Sequence, residues 1–152
     1  MKISTRVRYA VRLMADIARY GHEGEPVPLK DIARRQRLSR LYLAQLVIPL
    51  RNAALVRSVW GNKGGFLLVR PADRIKLLDI VEAVDGPICI LDCLSGKDYC
   101  SRSDSCECVG LWREVNAGIV KVLSSRTLED LITHKSLMGD HHASSRSRIA
   151  AH

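Results

Sequence analysis

Residues 27–59, VPLKDIARRQRLSRLYLAQLVIPLRNAALVRSV, followed at 61–68 by GNKGGFLL, contain the change of period on which the fold turns. In the first part apolar side chains recur every three or four residues. Leu29, Ile32 and Ala33 form an inward stripe with Lys30, Arg34, Arg35 and Arg37 outward, which predicts a short helix from Leu29 to Arg37. Ser39 follows as an N-cap, and a second helix begins at Arg40 with Leu41, Leu43, Leu46 and Val47 as core positions. Pro49 cannot donate to the carbonyl of Gln45, so a kink or restart is expected there, with PLRNAALV as a further turn. Two short helices joined by a tight turn make a helix-turn-helix.

After Val56 the period changes. The run LVRSVWGNKGGFLLV (55–69) is β-branched and apolar at both ends, with Gly61, Gly64 and Gly65 between, and predicts a two-stranded hairpin with a glycine-rich tip. A helix-turn-helix followed directly by a hairpin is a winged helix. Upstream, Ile3, Val7, Ala10, Val11, Met14, Ile17 and Ala18 predict an amphipathic helix over 5–20, capped by Ser4 or Thr5 and ended by Gly21, Gly24, Pro26 and Pro28. Downstream, Leu111, Trp112, Val115, Ile119, Val122 and Leu123 form an apolar stripe at helical spacing, wide enough to hold a partner helix. Thr127, with Asp130 three positions on, opens one more short helix through a variant of the capping box.

The expected fold class is therefore mainly α with a small β-hairpin wing, a winged helix-turn-helix extended by a long helix suited to dimerisation. The chain divides into a winged-helix domain (1–80), a helix end and cysteine loop (81–110), a dimerisation region (111–133) and a tail (134–152). The tail, rich in Ser, Arg and His, reads as disordered, with His141 and His142 solvated.

Charge is distributed unevenly. Residues 1–76 hold 16 Lys or Arg against 5 Asp or Glu, whereas residues 77–152 hold 8 against 11. A net positive N-terminal half suits a polyanionic partner, the alternative being a solvated basic face. Arg6, Arg8, Arg12, Asp16 and Arg19 interrupt the first twenty residues, and no run of apolar residues reaches membrane-spanning length, so a soluble cytoplasmic protein without a membrane partner is expected. In a double-stranded DNA complex, Ser39, Arg40, Tyr42 and Gln45 would present the recognition helix to the major groove, where Arg favours guanine and Gln favours adenine. Arg51, Arg57 and Lys63 would bind phosphates, with Trp60 beside them on the wing. A winged helix can also serve as a protein-interaction module.

Five cysteines fall between residues 89 and 108. Cys89 sits in GPICILD between apolar neighbours and reads as a buried thiol. Cys93, Cys100 and Cys106 are separated by six and five residues, and Cys108 follows after one. No C-x-x-C pair of the kind found in zinc knuckles is present, and the spacing differs from the ferredoxin runs. An odd number of cysteines in a reducing compartment disfavours a disulfide framework. An iron-sulfur cluster and a loop of free, oxidisable thiols stay open at this point.

Several segments in fixed order, STRVRYAVRLMADIA, the stretch 27–59, GNKGGFLL, LLDIVEAVDG, then cysteines and LW, closely resemble the Rrf-type winged-helix transcription regulators over residues 1–133. The resemblance is strongest to the branch that includes IscR and NsrR. It implies a homodimer with a DNA-binding winged helix in each subunit. It also implies an iron-sulfur cluster, [2Fe-2S] rather than [4Fe-4S], held by Cys93, Cys100 and Cys106, with the fourth ligand from Cys108 or from the partner subunit's first helix. The chain departs from that pattern at two places: Trp60 stands where IscR-like wings carry Arg, and Val109 stands where a His follows the last of three cysteines. The function so implied is a DNA-binding regulator, not an enzyme, whose operator binding follows its cluster. The alternatives are a cluster-free regulator controlled by thiols or a partner, and an iron-sulfur or zinc protein that binds no DNA.

Overall fold

The computed structural model of the chain describes residues 3–21, 24–94 and 106–134. Helix α1 spans Thr5–Tyr20, α2 Leu29–Gln36 and α3 Arg40–Asn52; strands β1 (Val56–Val59) and β2 (Gly65–Leu68) follow, then α4 (Leu77–Asp85), α5 (Val109–Ser125) and α6 (Leu128–His134). Single 3₁₀ turns lie at Ala72–Arg74 and Asp92–Leu94. The order is that of a winged helix. Cys100, and the expected tail from 135 onward with His141 and His142, lie outside the described residues.

Helix α1 is the centre of the core. Ser4 caps it, its hydroxyl accepting from Val7 N at 3.1 Å. Val7, Ala10, Leu13, Met14 and Ile17 are buried, and the helix packs against α2, α3, α4 and α6 as well as β2. That surround explains why Leu13, outside the expected stripe, is fully buried, while Ile3, expected inward, precedes the helix and is exposed. Ile32 and Ala33 of α2, Leu43, Leu46, Val47 and Leu50 of α3, Leu55, Val56, Ile75, Ile80 and Val84 complete the cluster with Leu128 of α6.

The turn of the helix-turn-helix uses Arg37 in the left-handed region (φ 55°), with Leu38 N donating to Ala33 O at 3.1 Å. The end of α3 repeats this device: Ala54 has φ 54°, and Leu55 N donates to Leu50 O at 3.0 Å. Of the expected kink or restart, the restart does not occur: α3 is one helix that runs through Pro49 to Asn52. One backbone bond to Gln45 is forfeited, at about 3 kcal/mol or more for a proline inside a helix. Burial of Leu50 and Leu55, worth about 1.5–3 kcal/mol each, offsets it, and Ala53 N bonds Pro49 O at 3.0 Å to complete the last turn.

The wing pairs Val56 with Leu68 and Val59 with Gly65 in antiparallel register. Val27 adds a third rung, exchanging backbone bonds of 2.9 Å with Phe66 in both directions. Gly65 permits this approach, since a Cβ there would overlap the Val27 carbonyl and stand 2.8 Å from Pro28 N.

Helix α6 returns to the winged domain. Leu77 N bonds Arg126 O and Leu128 N bonds Ile75 O, at 3.0 and 2.8 Å. The expected capping box is present: Thr127 Oγ1 accepts from Asp130 N at 3.1 Å and Asp130 Oδ2 accepts from Thr127 N at 2.9 Å. Helix α5 contrasts with every other long helix in having no buried residue.

Candidate nucleic-acid interface

Ser39 ends the turn with its hydroxyl accepting from Tyr42 N at 3.1 Å, which satisfies an orphan donor of the first turn of α3. The helix buries Leu43, Leu46, Val47 and Leu50, so Arg40, Gln45 and Arg51 emerge exposed. Tyr42, expected outward, is half-buried: its ring meets Tyr9 of α1 edge-on, with centroids 5.9 Å apart and planes at 89°. Leu41 reverses its expected role. It is 74% exposed, because residue 41 lies opposite the core-facing side of α3.

On the wing, Arg57 projects outward from β1, and the tip closes with Gly64 N donating to Gly61 O at 2.9 Å. Gly61 takes φ +117°, open to glycine and strained for other residues. Trp60 and Lys63 stand out of this tip, Trp60 at 92% exposure. Among the described residues no acid lies within ion-pair distance of Arg40, Arg51, Arg57 or Lys63. Their charges remain available to an external anion.

A clasp that the sequence reading did not find holds α2 against α1. Asp16 is 3% exposed; both its carboxylate oxygens accept from Arg35 Nε at 3.1 Å, Oδ1 accepts from Arg35 Nη2 at 2.5 Å, and Oδ2 accepts from Gln36 Nε2 at 2.8 Å. The Asp16 bond is the main cause that raises the Arg35 pKa above its ordinary value, opposed by desolvation. Arg35, expected outward, is thus turned inward, with its guanidinium 4.0 Å from the Tyr20 ring centroid. Arg12 extends the network by donating to Gln36 Oε1 and Gln36 O, at 2.9 and 3.2 Å. Polar residues at helical spacing within an otherwise apolar face of α1 were the available signal.

The cysteines occupy the segment between α4 and α5. Cys89 is exposed rather than buried, its thiol donating to Leu91 O at 3.0 Å, and its neighbours Ile88 and Ile90 are themselves only half-buried. Cys93 lies in the 3₁₀ turn Asp92–Leu94. Cys106 and Cys108 are exposed, and both support the start of α5, where Val109 N bonds Cys106 O and Trp112 N bonds Cys108 O, each at 3.2 Å. Among the described residues no three His, Cys, Asp or Glu side chains converge as a metal site. Asn116 of α5, also missed in sequence, joins the two sides of the segment: Oδ1 accepts from Ile90 N at 3.1 Å and Nδ2 donates to Ile88 O at 3.2 Å.

The model of the Rrf2 family, described as iron-dependent transcriptional regulators, matches residues 3–134. The chain belongs to the Rrf2 family. It is a transcriptional regulator, not an enzyme, and regulators of this family bind DNA. It is 41% identical to the HTH-type transcriptional regulator IscR of Xenorhabdus nematophila over 138 residues, which cover 91% of this chain and 83% of that protein. It is also 40% identical to the regulator CymR of Bacillus subtilis over 134 residues, covering 88% and 91% of the two chains. Among solved structures, CymR of B. subtilis, described as its global cysteine regulator, superposes with a TM-score of 0.72 at 37% identity, covering 88% of this chain and 98% of that one. IscR of T. potens gives 0.70 at 36% identity, covering 89% and 88%. The Rrf2 winged helix is therefore the fold observed here. Among the described residues no helix is long and apolar enough to cross a membrane.

Proposed function

We propose that this Rrf2 regulator is a cytoplasmic homodimer whose binding to operator DNA is controlled by an iron-sulfur cluster. The observation that carries the reading is the position of the thiols: exposed Cys106 and Cys108 immediately precede α5, the helix that presents Leu111, Trp112, Val115 and Val122 to solvent. Exposed apolar residues in such a stripe need a partner surface, and a second copy of α5 supplies a self-complementary one. The domain division follows: a winged helix over 1–80, the cysteine segment 81–110, and the dimerisation region 111–133.

The donor set suits the group, since two exposed thiols, Cys106 and Cys108, flank Glu107 at the approach to α5, and thiolates are the usual cluster ligands. Cys93, Cys100 and Cys106 would hold it, with Cys108 as the fourth ligand in the place of the family's histidine; [2Fe-2S] is the form the resemblance favours. When bound, the cluster supplies a redox- and iron-sensitive crosslink between Cys93 and the start of α5. The protein's own part is mechanical. Cys106 and Cys108 lead directly into α5, and Asn116 ties α5 to the backbone at Ile88 and Ile90, so an ordered cysteine segment biases the spacing of the two winged helices. On the DNA, Ser39, Arg40, Tyr42 and Gln45 face the major groove, Arg51, Arg57 and Lys63 bind phosphates, and Trp60 lies along the wing contact.

The test is a paired one. Anaerobically purified protein is assayed for visible absorbance, iron and sulfide, beside Cys93→Ala, Cys100→Ala, Cys106→Ala, Cys108→Ala and Cys89→Ala. The first three are expected to lose the chromophore and Cys89→Ala to keep it, while partial retention in Cys108→Ala would point to a fourth ligand from elsewhere. Operator affinity of the holo protein should then differ from that of the triple Cys93, Cys100, Cys106 alanine variant by about 5- to 150-fold, the usual span of such coupling. Equal affinities would refute the sensor reading, and full iron content in Cys93→Ala would refute the ligand assignment.

A further inference from the structure

An exposed leucine at the start of a recognition helix calls for a physical reason. Leu41, Gln45, Ile48 and Asn52 are spaced i, i+4, i+7 and i+11 along α3, which places them in one stripe opposite Leu43, Leu46 and Leu50. Leu41 is 74% exposed and follows Arg40 in the first turn, beside the Ser39 cap. The surrounding surface is cationic: of the eight Lys or Arg in residues 29–63, Arg34 is paired with Asp31 at 3.0 Å and Arg35 with Asp16 of α1, which leaves Lys30, Arg37, Arg40, Arg51, Arg57 and Lys63 without an acid partner among the described residues. Such a field selects a polyanion as the occupant of this face. The major-groove floor of B-DNA displays one apolar group, the C5 methyl of thymine, and adenine offers Gln a bidentate pair of N6 and N7.

We propose that Leu41 is a specificity-determining residue whose side chain packs on a thymine C5 methyl in the major groove. Gln45, one turn further along the same face, addresses a neighbouring adenine. The N-terminal residues of a recognition helix reach the base edges, and Leu41 is the apolar side chain placed there. The operator accordingly carries a preferred thymine at one position in each half-site. This inference rests on the DNA-binding reading of α3 and refines it.

The full-length protein is first used to select duplexes from a random pool. Each thymine of the selected half-site is then replaced by deoxyuridine, which removes the methyl group and leaves Watson–Crick pairing intact. Wild-type protein is expected to bind about fourfold more weakly when one particular thymine is replaced, the factor that follows from ~0.8 kcal/mol for a buried methyl-sized group. Leu41→Ala, which is exposed and should melt at the wild-type temperature, is expected to bind the thymine and deoxyuridine duplexes equally. Wild-type indifference to every replacement, or undiminished discrimination by Leu41→Ala, would overturn the assignment while leaving DNA binding by α3 intact. Failure of the wild type to select any duplex would overturn the DNA-binding reading and this one with it.

Discussion

Replacing Asp16 by alanine tests whether the buried clasp orients the helix-turn-helix. The carboxylate is 3% exposed and accepts from Arg35 and Gln36, so its removal strands a guanidinium and an amide between α1 and α2. Breaking a fully buried ion pair costs about 3–5 kcal/mol, most of it from the uncompensated charge. The Arg35 side chain is 26% exposed and can turn partly to water, which lowers the expected loss to about 2–3 kcal/mol. For a chain of this length that corresponds to a fall in melting temperature of roughly 5–10 °C by circular dichroism or calorimetry. Asp16→Asn keeps one acceptor but sets an amide against donors, and should lose less. A double-mutant cycle with Arg35→Met isolates the pair and should return a coupling of about 1–2 kcal/mol. A melting temperature for Asp16→Ala within about 1 °C of the wild type would refute the reasoning, since a loss of that size needs a shift several times larger.

Two further predictions follow from the packing. Ala54→Gly should raise stability by about 0.5–1 kcal/mol in a denaturant titration, because a left-handed φ of 54° strains a Cβ that glycine lacks; a loss of stability would mean that the Ala54 methyl contributes more by packing than it costs in strain. Val122→Glu introduces a charge into the exposed stripe of α5 at a residue 61% exposed. Light scattering on a sizing column should show a monomer with unchanged helical circular dichroism, and a persistent dimer would place the subunit interface elsewhere.

Local pattern was enough to read the order of elements apart from α4, whose segment LLDIVEAVDG entered only through the family resemblance. The stripes of α1, α2 and α3, the cap at Ser39, the hairpin from Val56 to Leu68 and the Thr127–Asp130 box were legible because each depends on residues within a few positions of one another. The same locality explains the departures. Leu41 looks like core by residue type, but its direction depends on which side of α3 faces α1 and α4, and that is set by packing between elements distant in sequence. Pro49 predicts a break wherever its backbone cost dominates; here the burial of Leu50 and Leu55 outweighs it, a quantity that exists only once the core has formed. Cys89 has apolar neighbours in sequence, yet the segment packs against no core there: Ile88 and Ile90 are half-buried and Cys89 is exposed.

Thus composition and period by themselves determined a basic winged helix followed by a cysteine segment and an amphipathic helix. Tertiary structure alone decided that Asp16 meets Arg35 across 19 residues and that Asn116 reaches back 26 residues to Ile90. The physical reason is the same for both. A polar side chain in a helix declares no partner of its own, and its hydrogen bonds are assigned only when burial removes water and leaves another part of the chain to satisfy them.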